Sequence, residues 1–260
     1  MKMKISASNI AWPSERDGEL LALLRSLGFD GLEVAPTRLF PEAPYAHADG
    51  ARVYAAALLE EYGLRVASMQ SVLFGIKENL FGAREERAFL RDYLRAGIVF
   101  ARALGCGNIN FGCPKNRLIG EASQYGVAVD FFRDLSEYAA RNGTVIAIEP
   151  VPVIYGGNFL NTTQQACAFV RDVGHPACMV NADTGTMVSN GEPFAVLEEN
   201  IHLIHHIHLS QPHLAPIVRV EWHRRLRELP FEGYLSLEMK KTEDPEDLRR
   251  CLLYLREVAG

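Results

Sequence analysis

Residues 145–150 read Val-Ile-Ala-Ile-Glu-Pro, a short apolar run that ends on a carboxylate. An uninterrupted run of this kind predicts a strand that is buried on both faces, as in a parallel sheet. The run follows an amphipathic stretch that ends at Asn142-Gly143, a pair that commonly ends a helix. A helix, a turn and a buried strand in this order indicate repeated βα units.

The same alternation extends over the whole chain. We predict strands at residues 4–10, 31–35, 64–72, 108–112, 144–149, 178–183, 204–209 and 234–239. We predict helices at residues 18–27, 50–61, 83–104, 127–141, 163–173, 193–200, 221–229 and 245–258. Eight of each is the number found in a (β/α)8 barrel.

The length of the chain favours one barrel over two small domains. Dividing 260 residues by eight gives about 32 residues for each βα unit. No proline-rich or serine-rich linker and no change in composition divides the chain. We therefore predict an α/β fold, a single (β/α)8 TIM barrel domain over residues 1–260.

Composition and charge exclude several classes of protein. The formal net charge is -5 with both signs mixed, which argues against a nucleic-acid partner. No apolar run reaches the roughly 18–20 residues of a membrane span, and residues 1–12 do not resemble a signal peptide. The five cysteines form no CxxC pair, so we expect reduced thiols. Together these features predict a cytoplasmic protein without a membrane partner.

Four predicted strands in the second half of the chain end on a side chain that can bind a metal ion. They are Glu149, Asp183, His208 and Glu238, which are 34, 25 and 30 residues apart, close to one βα unit each. The carboxyl ends of barrel strands meet at one mouth. Because the alternate apolar residues face the helices, we expect all four side chains to point into the barrel at similar height.

Three carboxylates cannot converge in a low-dielectric interior unless a cation neutralises them. One imidazole and three carboxylates suit Mn²⁺, Mg²⁺, Co²⁺ or Zn²⁺, and the residues alone do not choose among these ions. Any one of the acids taken alone is better explained by solvent exposure or by a salt bridge to Lys or Arg. The matched spacing of all four favours a metal site.

The order of these motifs resembles that of the xylose isomerase-like superfamily, the TIM barrels of sugar phosphate isomerases and epimerases. The resemblance covers nearly the whole chain. It is carried by residues 27–34 (Leu-Gly-Phe-Asp-Gly-Leu-Glu-Val), 147–150 (Ala-Ile-Glu-Pro), 175–176 (His-Pro), 183–185 (Asp-Thr-Gly), 206–210 (His-Ile-His-Leu-Ser) and 233–238 (Gly-Tyr-Leu-Ser-Leu-Glu).

The resemblance implies that Glu149, Asp183, His208 and Glu238 hold one divalent metal ion, with Mn²⁺ placed first among the candidates. It also implies that Glu149 and Glu238 are catalytic, moving a proton between opposite faces of the substrate through a cis-enediolate. On this basis we expect a sugar isomerase or epimerase with a small carbohydrate substrate, a polyhydroxylated ketone or aldehyde.

The sequence departs from the family pattern at two places near the expected substrate. Many relatives carry a histidine where this chain has Thr186. Relatives often carry an acid and then an arginine after strand seven, whereas residues 210–216 read Ser-Gln-Pro-His-Leu-Ala-Pro. Both changes leave the metal ligands in place and remove familiar sugar contacts.

Five further residues are candidates for substrate binding because of where they lie in the predicted units. They are Trp12, Glu33, Gln70, Asn110 and His213. Each could instead pack or form hydrogen bonds within the barrel. The loop at residues 72–82 has a mixed apolar and glycine composition, which fits a lid, packing on the barrel rim or a subunit contact.

Several alternative functions remain open from the sequence. A lyase or dehydratase acting on a keto-sugar or keto-cyclitol would use the same proton abstraction. A non-catalytic sugar-binding subunit would keep the fold without the reaction. A nuclease like endonuclease IV would need more metal ligands and a basic groove, which the sequence does not offer. The resemblance is also compatible with a homodimer, although no residue identifies an interface.

Overall fold

Eight parallel strands pair in chain order and close into a barrel, because β1 pairs with both β2 and β8. The computed structural model describes residues 3–260. The predicted fold, a single (β/α)8 TIM barrel, is confirmed. The strands are β1 Lys4–Ser8, β2 Gly31–Val34, β3 Arg65–Met69, β4 Asn108–Phe111, β5 Val145–Ile148, β6 Cys178–Asp183, β7 Ile204–Leu209 and β8 Tyr234–Leu237.

Helices lie between the strands and cover the outside of the barrel. They are α1 Asp17–Ser26, α2 Pro36–Leu39, α3 Ala48–Tyr62, α4 Arg84–Leu104, α5 Tyr125–Arg141, α6 Thr163–Val173, α7 Thr184–Asn190, α8 Ala195–Asn200 and α9 Pro245–Ala259. A 3-10 helix, Glu221–Glu228, replaces the α-helix expected between β7 and β8. Among residues 3–260, no helix combines the length and the apolar character that a membrane crossing requires.

Two glycines directly follow helices, close to the predicted helix ends at residues 61 and 104. Gly63 follows α3 with φ 69° and Gly105 follows α4 with φ 66°. Both lie in the left-handed region, where a side chain introduces strain, so glycine is the residue best suited to this position. The next strand begins within three residues of each glycine, at Arg65 and at Asn108.

The predicted elements differ from the observed ones mainly at the carboxyl ends of strands. β6 and β7 match their predicted bounds, whereas β3 ends at Met69 rather than at residue 72. The last residues of the predicted strands leave the sheet to form the loops of the barrel mouth. Helix α7 was not predicted. It begins where the side chain of Asp183 accepts a hydrogen bond from the backbone N–H of Thr186.

The inside of the barrel is polar, although its strands read as apolar. On β7, Ile207 and Leu209 pack in the outer apolar core, while His206 and His208 alternate with them and face inward. The buried polar side chains of the strands and strand ends include Ser6, Ser8, Glu33, Ser68, Gln70, Asn108, Asn110, Asn181, His206, His208 and Ser236. Buried polar groups require hydrogen-bond partners. The polar interior continues to the carboxyl ends of the strands.

Candidate metal centre

Four acidic and imidazole side chains meet at the carboxyl end of the barrel. Asp183 and His208 are paired neighbours on β6 and β7, and Glu149 and Glu238 directly follow β5 and β8. One donor atom from each residue lies within 4.8 Å of the donor atoms of the others, and all four residues are buried. The structure therefore brings together the four side chains that the strand spacing grouped.

The imidazole of His208 lies at the centre of this cluster. Its Nδ1 is 2.8 Å from Oε1 of Glu149 and 3.2 Å from Oε2 of Glu238. Its Nε2 points the other way and lies 3.0 Å from Oε1 of Glu33, which has no exposed surface. The two ring nitrogens therefore have different surroundings, and Nδ1 is the one that faces the other donors.

Without a cation, the buried carboxylates of the cluster repel one another. The pKa of Glu238 is raised to about 7, mainly by burial and also by the carboxylates of Glu149 and Asp183, against the opposing effect of His208. Burial also raises the pKa of Asp183, with a further contribution from Glu149. Burial lowers the pKa of His208, but the surrounding carboxylates outweigh it and raise that pKa well above its usual value. A divalent cation would remove this repulsion, so the donor set fits a metal ion.

Three side-chain N–H donors hold Glu149, and none of them was predicted from the sequence as its partner. Asn110 Nδ2 donates to Oε2 at 3.0 Å, and Asn181 Nδ2 donates to Oε1 at 3.0 Å. The buried guanidinium of Arg117 donates through Nη2 to the backbone carbonyl oxygen of Glu149 at 2.6 Å. Strand alternation could have indicated Asn181, which lies two residues before Asp183 on β6. Arg117 lies in a loop without a periodic signal.

Asp183 is oriented by the chain that follows its own strand and by the end of β7. The backbone N–H of Thr186 donates to Oδ1 at 2.5 Å, and the hydroxyl of Ser210 donates to Oδ2. Ser210 Oγ also accepts from the backbone N–H of Gly185 at 2.9 Å. The Thr186 side chain donates to the carbonyl oxygen of Pro150 at 3.0 Å. Thr186 thus ties two loops of the mouth together.

A cavity of about 310 Å³ opens above the cluster. Its walls include Glu149 and Glu238 together with two of the predicted substrate residues, Gln70 and Asn110. The volume lies within the range of small-molecule sites, about 300–1,000 Å³. Oδ1 of Asn110 is buried and has no hydrogen-bond partner among residues 3–260. The cavity wall therefore includes a residue whose unpaired acceptor is buried next to the acidic cluster.

The other three predicted substrate residues lie elsewhere. Glu33 lies beneath His208, so that a molecule in the cavity cannot reach it directly. Trp12 is buried, donates from Nε1 to Oδ1 of Asp17 at 2.7 Å, and lines a neighbouring cavity. His213 is exposed on the loop after β7, where its backbone N–H donates to the Tyr155 hydroxyl at 2.6 Å.

Comparison with known proteins agrees with this architecture. The sequence model of the family described as xylose isomerase-like TIM barrel matches residues 21–258. The chain is similar to a human protein named as a candidate hydroxypyruvate isomerase, with 24% identity over 79% of this chain and 76% of that protein. It is 23% identical to a 3-dehydroshikimate dehydratase of Pseudomonas putida over 84% of this chain, and spans 32% of that longer protein.

A solved structure also resembles the chain along its full length. It is that of a 3-keto-D-glucoside 4-epimerase from E. coli, with a TM-score of 0.78, 22% identity, and coverage of 98% of this chain and 100% of the other. At this level of identity the likeness establishes the shared fold and nothing about the substrate.

Proposed function

The chain belongs to the family of xylose isomerase-like TIM barrels, and from this membership and the buried cluster we propose a divalent-metal-dependent isomerase or epimerase. Its substrate would be a small polyhydroxylated ketone or aldehyde. The observation that carries the proposal is the presence of Glu149 and Glu238 in the wall of one cavity, both within 3.2 Å of His208 Nδ1.

Glu149, Asp183, His208 and Glu238 would hold the ion, for which we place Mn²⁺ first and keep Mg²⁺, Co²⁺ and Zn²⁺ as alternatives. Held by these residues, a divalent ion would supply Lewis-acid chemistry, polarising a substrate carbonyl so that the neighbouring C–H becomes more acidic. The oxygen-rich donor set of three carboxylates and one imidazole supports this assignment.

The two glutamates would remove and return the proton. Both carboxylates line the cavity, where each would reach the carbon next to a bound carbonyl. The amides of Asn110 and Asn181 hold the Glu149 carboxylate in one orientation. A proton leaving one face of the carbon and returning to the other gives epimerisation, and return to the neighbouring carbon gives isomerisation.

The wall of the cavity supports a hydroxylated ligand. Asn110 lines the cavity, and its Oδ1 is an acceptor that is buried and has no partner among the described residues; a movement of the side chain would bring it to a sugar hydroxyl. Gln70 also lines the cavity, and its Nε2 donates to the hydroxyl of Ser8, which leaves its carbonyl oxygen as a second acceptor.

The test is solvent deuterium exchange at the carbon next to the carbonyl, followed by NMR in heavy water over a panel of ketoses and aldoses with the Mn²⁺-loaded protein. We expect exchange with at least one sugar, and a loss of at least about 100-fold in Glu238→Gln and in Glu149→Gln. Metal content is measured for each variant. Glu60→Gln, a change at an exposed position of α3, is the matched control. Absence of exchange with every sugar by a metal-loaded protein would overturn the proposal.

A second candidate is a lyase or dehydratase, which the similarity to the Pseudomonas dehydratase favours. It uses the same proton removal and then expels a hydroxyl as water. The same NMR experiment distinguishes the two, because elimination gives a new unsaturated product whereas isomerisation conserves the substrate mass. A protein that binds sugar and shows neither reaction would be a binding subunit.

A further inference from the structure

A second and larger cavity, of about 880 Å³, adjoins the first one at Ser71, which lines both. All of its lining residues follow the carboxyl ends of four neighbouring strands, β8, β1, β2 and β3. The cavity therefore lies at the barrel mouth, on the side of β8, the strand that Glu238 follows. The first cavity alone is already large enough for a small ligand, so the second one is additional space continuous with it.

The rim of this second cavity has an excess of positive charge. Lys240 and Lys241 line it, both are exposed, and neither has a carboxylate partner within salt-bridge distance among residues 3–260. Arg38, the third cation of the wall, is already paired with Asp17 at 2.9 Å. Glu15 is the one acidic side chain among the lining residues of the described chain. Two uncompensated lysines beside one acid favour an anionic ligand.

The cavity also contains an aromatic ring that the protein leaves uncovered. Phe74 is 69% exposed, whereas the two residues before it, Val72 and Leu73, are buried. The loop is held in place, because the Tyr45 hydroxyl donates to the carbonyl oxygen of Val72 at 2.7 Å and the Phe74 N–H donates to Ser71 at 3.0 Å. An anchored loop that presents an exposed ring to a cavity offers an apolar surface for a ligand.

The lysines are close to the reacting end of the site. Lys240 follows Glu238 by two residues, which places their Cα atoms at most about 7 Å apart. A sugar chain whose carbonyl lies at Glu238 therefore needs only a few further bonds to bring a terminal group to Lys240 or Lys241.

We infer that this second cavity is a subsite for the far end of the substrate, and that this end carries a carboxylate or a phosphate. The inference rests on the proposed function for the position of the carbonyl, and it narrows the substrate to an acidic or phosphorylated sugar. Both anions share the chemistry that two lysines recognise, a compact negative charge with several acceptor oxygens. Phe74 would contact the carbon chain of the substrate next to this terminal group.

The test compares three probes that share one ketose skeleton: D-fructose, D-fructose 6-phosphate and D-fructuronate. Their dissociation constants for the Mn²⁺-loaded protein are measured by titration calorimetry, and deuterium exchange is followed in parallel. We expect at least one anionic probe to bind about tenfold more tightly than D-fructose, with the gap shrinking as NaCl is added. The tighter of the two anions identifies the terminal group.

Substitutions locate the effect. In the Lys240→Gln/Lys241→Gln double variant we expect the ratio of dissociation constants between D-fructose and the preferred anion to fall close to one. Lys77→Gln is the matched control, because Lys77 is exposed on the neighbouring loop and lies outside the lining of both cavities. A double variant that keeps the wild-type ratio, or a wild type with no preference, would overturn the inference.

The two readouts separate this inference from the proposed function. Lysine-dependent preference for an anion without exchange of any C–H supports the subsite and contradicts the isomerase. Exchange of D-fructose with no preference for either anion supports the isomerase and contradicts the subsite.

Discussion

Oε1 of Glu33 lies 3.0 Å from Nε2 of His208, on the side of the imidazole opposite to Glu149 and Glu238. A carboxylate can only accept a hydrogen bond, so this contact places a proton on Nε2. Nδ1 faces the carboxylates of Glu149 and Glu238 in the same way, so a cation that binds there would replace the Nδ1 proton and accept the lone pair of that nitrogen. Glu33 therefore orients the ring and selects its tautomer from below, as carboxylates often do behind metal-binding histidines.

Replacing this carboxylate should weaken metal binding without unfolding the barrel. In Glu33→Gln the amide keeps the shape of the side chain but removes its negative charge, and we expect about 10- to 100-fold lower Mn²⁺ affinity. Titration calorimetry measures the affinity, and circular dichroism verifies the fold. The control is Glu42→Gln, at an exposed position. Unchanged affinity in Glu33→Gln would show that the contact does not orient a ligand.

Metal affinity should rise with pH through neutrality. Burial raises the pKa of Glu238 to about 7 in the protein without a cation, and a protonated carboxyl binds cations poorly. Raising the pH removes this proton, so affinity should increase between about pH 6 and pH 8, and His208, whose pKa is also raised, should extend the increase above that range. Calorimetry in two buffers of different ionisation enthalpy should detect proton release on binding at pH 6. A flat affinity across this range would contradict the prediction.

Thr186 should stabilise the fold rather than bind the metal through its side chain. Thr186→Val keeps the shape but removes the hydroxyl that donates to Pro150, which should lower the free energy of unfolding by about 1 kcal/mol. Asp183 remains held by the backbone N–H of residue 186, so Mn²⁺ affinity should stay within about twofold, a change of about 0.4 kcal/mol. Urea denaturation and calorimetry measure the two quantities.

Thr186→Ser is the matched control for this substitution, because it retains the hydroxyl. A large loss of metal affinity in Thr186→Val with no loss of stability would reverse the assignment.

Two nearby glycines should respond differently to alanine. Gly105 has φ 66°, Gly107 has no positive φ, and a Cβ at either position meets no atom within 4 Å. Gly105→Ala should therefore lower the free energy of unfolding by about 1–2 kcal/mol through backbone strain alone. Gly107→Ala should change it by less than about 0.5 kcal/mol. Equal effects in urea denaturation would show that the left-handed backbone at Gly105 does not govern the cost of the substitution.

Local patterns in the sequence were sufficient to predict the barrel and the grouping of the four cluster residues. Strand and helix periods are properties of neighbouring residues, and β6 and β7 match their predicted bounds. The near-equal spacing of the units implies that Asp183 and His208 lie at the same level, and they are paired across β6 and β7. Glycines such as Gly63 mark helix ends because the left-handed backbone is a local requirement.

Contacts across the barrel depended on the tertiary structure. Glu33 and His208 are 175 residues apart, and no local pattern distinguishes an inward carboxylate that meets substrate from one that supports a histidine. Phe74 and Lys240 line one cavity because the closed sheet brings the loops after β3 and β8 to the same side of the mouth. The sequence determined which side chains face inward, since that follows from strand alternation. Barrel closure and register decided which of them touch, because those contacts depend on strands that are distant in the chain.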